Sequence, residues 1–447
     1  MTLMTCNLFA EEQLGTYPAE QWQTIKPAQT GWNKELLDEA LAYAREQKSS
    51  SVVIVHQGKI MAEGHWPVSG SMFYRLLTED NNSQGQVIED VASMQKSLVG
   101  ILTILASTKE LVELNAPVTE YLGEGWSNSK PEQESAITLQ HLLSMTSGLD
   151  PDLTFKAPAG TQWLYNTNAY SQLVPILEKV TGQSIGEITS LWLTDNIGMS
   201  DTSWGSRAWV LPGMDANKFG FLTSAQDMAR LGLLMLNNGA WYGKSIISAT
   251  ELEKIHKPSQ TLNPSYGKLW WINGQSVLRD GEWVTGGLVP SAPADMYSAL
   301  GALGKKLYVV PSLDLVVTRL GDTPEKDFDQ KFWQKLMAAS PTGNLCGQCN
   351  GAIADTISTA RSADGQYISW KEHIIDDPSL GISDLSGSDG LSMADLDQDG
   401  FEDIVSVHES DTVYDGKPIG HVRIAWGSKN PTEMALPTSW LPANLHI

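Results

Sequence analysis

The stretch Val91 to Ser107, VASMQKSLVGILTILAS, decides how the rest of the chain is read. From Leu98 to Ala106 it is apolar on almost every face, and a helix apolar all round is a buried one. The run is too short to cross a bilayer, so it belongs inside a globular core. At its start Ser93 and Lys96 stand three residues apart, which in a helix puts both side chains on one face, one turn apart. Ser93 falls in the first turn, where free backbone N–H groups and the positive end of the helix dipole favour developing negative charge. A lysine among apolar neighbours loses solvation of its ammonium form, which lowers its proton affinity and suits it to act as a base. Ser93 and Lys96 therefore read as a nucleophile and its activator.

Spacing alone is a weak signal, because chance supplies roughly one or two Ser-x-x-Lys copies in a chain of this length. A second copy, Ser127-Asn128-Ser129-Lys130, lies in polar sequence before Pro131 with no apolar helix to bury it, and reads as a loop.

Upstream, Leu36 to Gln47 carries Leu36, Leu37, Ala40, Leu41 and Ala44 at helical spacing. Ser51 to His56 reads as a buried strand, turned by Gln57-Gly58 into a second strand, Lys59 to Glu63, and Thr78 to Gln86 as a polar loop. Downstream, Ile137 to Asp150 predicts a short helix stopping at Gly148, with His141 packed beneath the site. An aromatic, amide-rich loop, Leu164 to Tyr170, precedes a helix from Gln172 to Val180; pattern leaves Tyr165 open between a core aromatic and a second acid/base group. Thr223 or Ser224 caps a helix over Met228 to Leu236. Tyr266 to Asn273 predicts a strand, Met296 to Arg319 two strands joined at a glycine-rich turn, and Phe328 to Met337 a closing amphipathic helix. Strands, a helical block, strands and a last helix predict an α+β fold: an antiparallel sheet with flanking helices and a helical subdomain.

A net charge of −22 argues against a nucleic-acid partner, since phosphates would find no broad basic surface. About half of that charge falls in the last quarter of the chain. Three cysteines make no disulfide framework, and the Cys346–Cys349 pair alone cannot make a four-ligand zinc site. No stretch reaches the length of a membrane span. Residues Met1 to Ala10 lack the basic start and full apolar region of a signal peptide, and read instead as the tail of one.

Five landmarks in order, Ser93–Lys96, QHLLSMTSGL, GTQWLYNT, LTSAQDMARLGLLML and GALGKKLYVVP, resemble the serine β-lactamase and penicillin-binding superfamily over roughly residues 30 to 338. The likeness is strongest toward the branch of class C β-lactamases, β-lactamase-like esterases and 6-aminohexanoate-dimer hydrolases. It implies an acylated Ser93, Lys96 taking its proton, and Tyr165 working with Lys96 on proton transfers to the leaving group. A phenol near a lysine ammonium has its phenolate favoured, which would suit Tyr165 to general-base work. The oxyanion hole would use the N–H groups of Ser93 and Ala302. Two departures stand out. Tyr165-Asn166-Thr167 replaces the usual Tyr-x-Asn, and Ala299-Leu300-Gly301 keeps the glycine of the third motif but loses its cation. Without that cation a neutral ester or amide fits better than a β-lactam or peptide carboxylate. No catalytic cofactor is implied.

After Pro341 helical patterning vanishes. Asp395, Asp397, Asp399 and, past the Gly400 turn, Asp403 present oxygen ligands suited to Ca²⁺. With strand-like flanks at Leu391 to Ala394, Ile404 to His408 and His421 to Trp426, this resembles an FG-GAP repeat of a calcium-binding β-propeller blade. One or two blades cannot close a ring, so the chain reads as part of a longer protein.

The expected organisation is an N-terminal extension (1–29), a hydrolase domain (30–340), a linker (341–360) and an incomplete all-β propeller segment (361–447). The expected function is an exported, periplasmic or secreted serine hydrolase acting on small esters or amides, with an extracellular protein or glycan as partner of the C-terminal module. The rivals are a β-lactamase or D-alanyl-D-alanine carboxypeptidase, and a non-catalytic penicillin-binding-like scaffold.

Overall fold

The computed structural model describes residues 16–207, 210, 218–279, 282–284 and 286–341, together with the backbone of six strands between Thr356 and Ala443. The chain divides into two compact units, Met1–Gln348 and Cys349–Ile447.

The first unit is built on a six-stranded antiparallel sheet: β1 (Ser49–His56), β2 (Lys59–His65), β3 (Trp271–Ile272), β4 (Tyr297–Gly301), β5 (Lys305–Val310) and β6 (Leu315–Gly321). Their spatial order is β2-β1-β6-β5-β4-β3. The four principal helices are α1 (Lys34–Glu46), α2 (Gln95–Thr108), α3 (Ala225–Leu236) and α4 (Phe328–Ala339). Every residue of β1 is buried, because both faces of the sheet are covered. Val52 and Ile54 share a core with Leu37 and Ala40 of α1 and Phe332 and Trp333 of α4. Val53 and Val55, on the opposite pleat, share the larger core with Leu98 and Ile101 of α2 and Leu233 of α3. Twelve of the fourteen residues of α2 are buried, as its all-round apolar sequence requires.

Three local expectations need correction. The span Met296 to Arg319 forms three strands, not two, because Pro311–Leu313 makes a tight turn that ends with Asp314 in the left-handed region (φ 49°). Within Tyr266 to Asn273 only Trp271–Ile272 is strand; Leu269 turns the chain through φ 62°, and Tyr266 bridges back to Trp271. Thr78 to Gln86 is not all loop. Thr78–Asn81 pairs with Val87–Asp90 around a turn in which the Asn82 side chain accepts from the N–H groups of Gln84 and Gln86. These strands continue into a small sheet through Phe219–Thr223 and Ser203–Ser206. That sheet delivers the chain to Ser93.

In the second unit Thr356–Arg361 pairs with Tyr367–Trp370. Gly390–Ala394, Asp403–His408, His421–Ala425 and Trp440–Ala443 form a four-stranded antiparallel sheet in chain order. Asp395, Asp397 and Asp399 lie outside the described residues, as do Cys346 and Cys349; of Asp403 only the backbone is described. Among the described residues no helix is long and apolar enough to cross a membrane.

Candidate active site

The nucleophile candidate sits on a strained turn. Val91 N–H donates to Phe221 O (2.9 Å), ending the strand pairing, and the next residue, Ala92, adopts φ 51°. A left-handed alanine costs on the order of 1 kcal/mol and persists only where its surroundings hold it. Here Ala92 N–H donates to Asp90 Oδ1 (2.8 Å), and Arg207 grips both oxygens of Asp90, Nε to Oδ2 at 2.6 Å and Nη2 to Oδ1 at 2.7 Å. The backbone at Gly220 passes so close to this pair that a Cβ there would lie 1.9 Å from Asp90 Oδ2. The 3₁₀ turn Ala92–Met94 then runs directly into α2 and carries Ser93 at the helix entrance.

Lys96 is 3% exposed, and its Nζ lies 2.9 Å from Ser93 Oγ. Its other neighbours are aromatic: Nζ sits 4.9 Å from the ring centre of Tyr165 and 4.8 Å from that of Tyr170. Among the described residues no carboxylate pairs with it. Loss of solvation, with a smaller push from the Arg207 charge, brings its pKa down to about 7. Near neutrality about half of the amine is unprotonated and able to accept the Ser93 proton.

Tyr165 precedes a short helix, Thr167–Ser171, whose N-cap is the buried Asn166. The Asn166 carbonyl oxygen accepts from the N–H groups of Asn168 and Ala169, while its amide donates to Leu149 O and Asp150 O. With that amide occupied, the Tyr165 ring is fixed by stacking on Trp271 (6.0 Å) and an edge contact to Tyr266 (6.3 Å). Its hydroxyl hydrogen-bonds Ser93, yet burial pushes its pKa up to about 12. The expected phenolate is corrected by this: the amine lies over the ring face, and burial favours the neutral forms of both groups. Of the two, Lys96 is the group able to accept a proton near neutrality, and Tyr165 is a neutral phenol.

The third element is the end of β4. A Cβ on Gly301 would fall 2.3 Å from Val91 O and 3.1 Å from Met94 Cγ, so only glycine lets this strand lie against the Ser93 turn. Ala302 follows at once in a 3₁₀ turn, Ala302–Gly304, which sets its backbone at the strand end next to that turn. Neither nearby lysine serves as a substrate cation. Lys305 is fully buried, with Nζ 2.7 Å from Glu89 Oε2 and 2.7 Å from Asp90 O. Lys306 pairs with Asp329 (2.9 Å).

The sequence pattern of the Beta-lactamase family matches residues 36–339, the span that contains all of these elements. The chain belongs to that family. Its members are serine hydrolases that need no cofactor for catalysis. No curated protein sequence matches the chain. Similar solved structures include one described as "Putative 6-aminohexanoate-dimer hydrolase from Bacillus anthracis", at TM-score 0.54 and 19% identity, covering 72% of this chain and 88% of that one. A β-lactamase/D-alanine carboxypeptidase from Yersinia pestis complexed with citrate matches at TM-score 0.51 and 15% identity, covering 70% and 98%. EstCE1, a hydrolase with promiscuous acyltransferase activity, matches at 0.50 and 14%, covering 68% and 98%. At these identities they share the mixed helix and antiparallel-sheet fold.

In this β-lactamase-like frame a cleft of about 800 Å³ opens beside Tyr165, walled by Trp163, Leu262, Trp271, Leu278, Leu288 and Leu300. Among the described residues no charged side chain lines it. His141 stays outside the chemistry: its Nδ1 lies 3.1 Å from Thr138 N and Oγ1 in a capping box, and burial lowers its pKa. Ser127 of the second Ser-x-x-Lys copy donates to Glu134 (2.7 Å), while Lys130 stands at a helix start. Sequence reading missed Arg207, Asp90 and Gln95. Asp90 had one usable signal, three residues ahead of Ser93, whereas Arg207 carries none. Among the described residues no group of three or more His, Cys, Asp or Glu could hold a metal ion.

Proposed function

We propose that this chain is a serine esterase or amidase that works through an acyl-enzyme on small, uncharged substrates. The observation that carries the reading is Lys96, dry, without a counter-ion among the described residues, and 2.9 Å from Ser93 Oγ. Neutral Lys96 takes the Ser93 proton as Oγ bonds to the substrate carbonyl carbon. The resulting oxyanion is held by the N–H groups of Ser93 and Ala302. Tyr165 relays a proton from the Lys96 ammonium to the departing alcohol or amine, and water releases the acyl group with Lys96 again as base. Within the family the proposed affiliation is the branch of class C β-lactamases, β-lactamase-like esterases and 6-aminohexanoate-dimer hydrolases. The uncharged, aromatic cleft supports an apolar acyl or alcohol group.

Ser93→Ala is expected to abolish turnover of a p-nitrophenyl short-chain ester with the fold intact, and unchanged turnover would remove the mechanism. A β-lactamase or D-alanyl-D-alanine carboxypeptidase is the second reading. Ala299-Leu300-Gly301, with no cation facing the cleft among the described residues, disfavours it, and hydrolysis of nitrocefin faster than of esters would reverse that preference. A non-catalytic scaffold would leave Ser93 unlabelled by a fluorophosphonate probe.

The C-terminal segment is proposed as an incomplete FG-GAP module binding Ca²⁺ through Asp395, Asp397, Asp399 and Asp403. Supporting this, the acidic run falls between two paired strands, with Ala394 opposite Asp403. Such a module fits an extracytoplasmic setting and a protein or glycan partner. Calcium should raise the melting temperature of the full chain relative to EDTA, and Asp397→Asn with Asp399→Asn should erase that rise.

A further inference from the structure

We infer that Arg207 and Asp90 act together as a positioning pair for the nucleophile and its base, Asp90 pinning the Ala92 turn and Arg207 keeping Lys96 next to a cation rather than an anion. The inference rests on the Ser93–Lys96 reading above.

The geometry runs both ways from the guanidinium. On one side Arg207 binds both Asp90 oxygens, and Asp90 Oδ1 also accepts the Ala92 N–H that fixes the left-handed residue before Ser93. On the other, Arg207 Nη2 donates to Gln95 Oε1 (3.1 Å), Gln95 Nε2 donates to the Tyr170 hydroxyl (3.0 Å), and the Tyr170 ring lies against Lys96 Nζ. Gln95 Oε1 also accepts Phe221 N–H (3.3 Å), which ties the chain of contacts to the strand beneath. Arg207 and Asp90 are both buried, at 7% and 5% side-chain exposure, and Gly220 closes over them with no room for a Cβ. Arg207 itself is held in the sheet by its N–H to Lys218 O (2.8 Å). A pair needed only for packing could be replaced by apolar groups without touching the chemistry. This pair cannot, because each half has a separate effect on Lys96.

Among the described residues the groups facing Lys96 are few. Tyr165 and Tyr170, and Tyr266 against the Tyr165 ring, stay neutral through the assay range because burial raises all three. The charged groups among the described residues are Arg207, its partner Asp90 and, behind Asp90, the paired Lys305 and Glu89. Removing Arg207 bares the Asp90 carboxylate, which favours the ammonium of Lys96. Removing the Asp90 charge leaves Arg207 unbalanced, which favours the free amine.

The test is the pH profile of fluorophosphonate labelling at Ser93, alongside kcat/KM for p-nitrophenyl acetate, in full-length protein. For Arg207→Met the rising limb should move up by about one pH unit, making labelling about fivefold slower at pH 7. For Asp90→Asn, where Asn Oδ1 can still accept the Ala92 N–H, the limb should move down. If Arg207→Met does not fold, Asp90→Asn together with Arg207→Lys, which keeps the charge and the midpoint but loses the paired grip and hence plateau rate, carries the test. Midpoints that stay put, or shift the same way in Arg207→Met and Asp90→Asn, overturn the inference. Failure of the wild type to label at Ser93 would instead overturn the proposed function.

Discussion

Lys96 and Lys305 are both buried lysines reaching the same turn, and they differ in what faces them. Lys305 has Glu89 at 2.7 Å, and Glu89 also accepts from Ser50 Oγ, the Tyr74 hydroxyl and Gly321 N–H. Lys96 has a serine hydroxyl and two aromatic faces, and no carboxylate among the described residues. Burial is common to the two, so burial alone does not make a base. Lys305 has an ionic partner to hold it in place; for Lys96, with none among the described residues, burial brings the pKa down to about 7.

The largest effects should separate the two. Lys96→Met is expected to lower kcat/KM for a p-nitrophenyl ester by about 10³–10⁴-fold, the upper range for a general base. It should leave the protein at least as stable. The sign follows from a folded-state pKa of about 7 against about 10.5 for the unfolded chain: the cost of burying this amine is full below about pH 7 and fades as pH rises toward 10.5. Thermal melts at pH 6 and pH 9 should therefore show the larger stabilisation at pH 6. Lys305→Met should do the reverse, costing about 3–5 kcal/mol in denaturant unfolding because the buried Glu89 side chain loses its ionic partner. Lys305→Met combined with Glu89→Gln should regain most of that loss.

A sharper comparison comes from pH. In the wild type kcat/KM should rise about tenfold per unit below pH 7 and level off above it, as Lys96 loses its proton. Tyr165, pushed up to about 12, should contribute no further limb below about pH 10. The smallest effect belongs to the cleft. Trp271→Ala removes the stacking partner of Tyr165 and one wall of the apolar cleft, and should raise KM for a butyl- or hexanoyl-length ester about tenfold. The acetyl ester, too short to use the wall, should change less.

How much of this was legible in the sequence depends on the range of the contact. The α2 helix was readable because its burial is written in consecutive apolar residues, and Ser93 and Lys96 stand three residues apart across its entrance. The sheet was readable in outline; its turns at Asp314 and Leu269 were not, because both use left-handed residues other than glycine. Tyr165 was placed by resemblance, but its protonation was misread, since that depends on the rings of Tyr266 and Trp271, about a hundred residues away in sequence. Arg207 was invisible for the same reason: its partners, Asp90 and Gln95, are more than a hundred positions upstream, and only the folded sheet brings them together. The two Ser-x-x-Lys copies make the point in miniature. Spacing was identical, and only the apolar helix behind Ser93 told them apart.

The central claim is that Ser93 is acylated with Lys96 as its base. Mass spectrometry of the full-length protein quenched during turnover of a p-nitrophenyl ester, followed by peptide mapping, tests it most directly. One acyl group on Ser93, absent from Ser93→Ala and formed far more slowly in Lys96→Met, is the expected result. Turnover with no adduct on Ser93, or with the adduct on another residue, would contradict it.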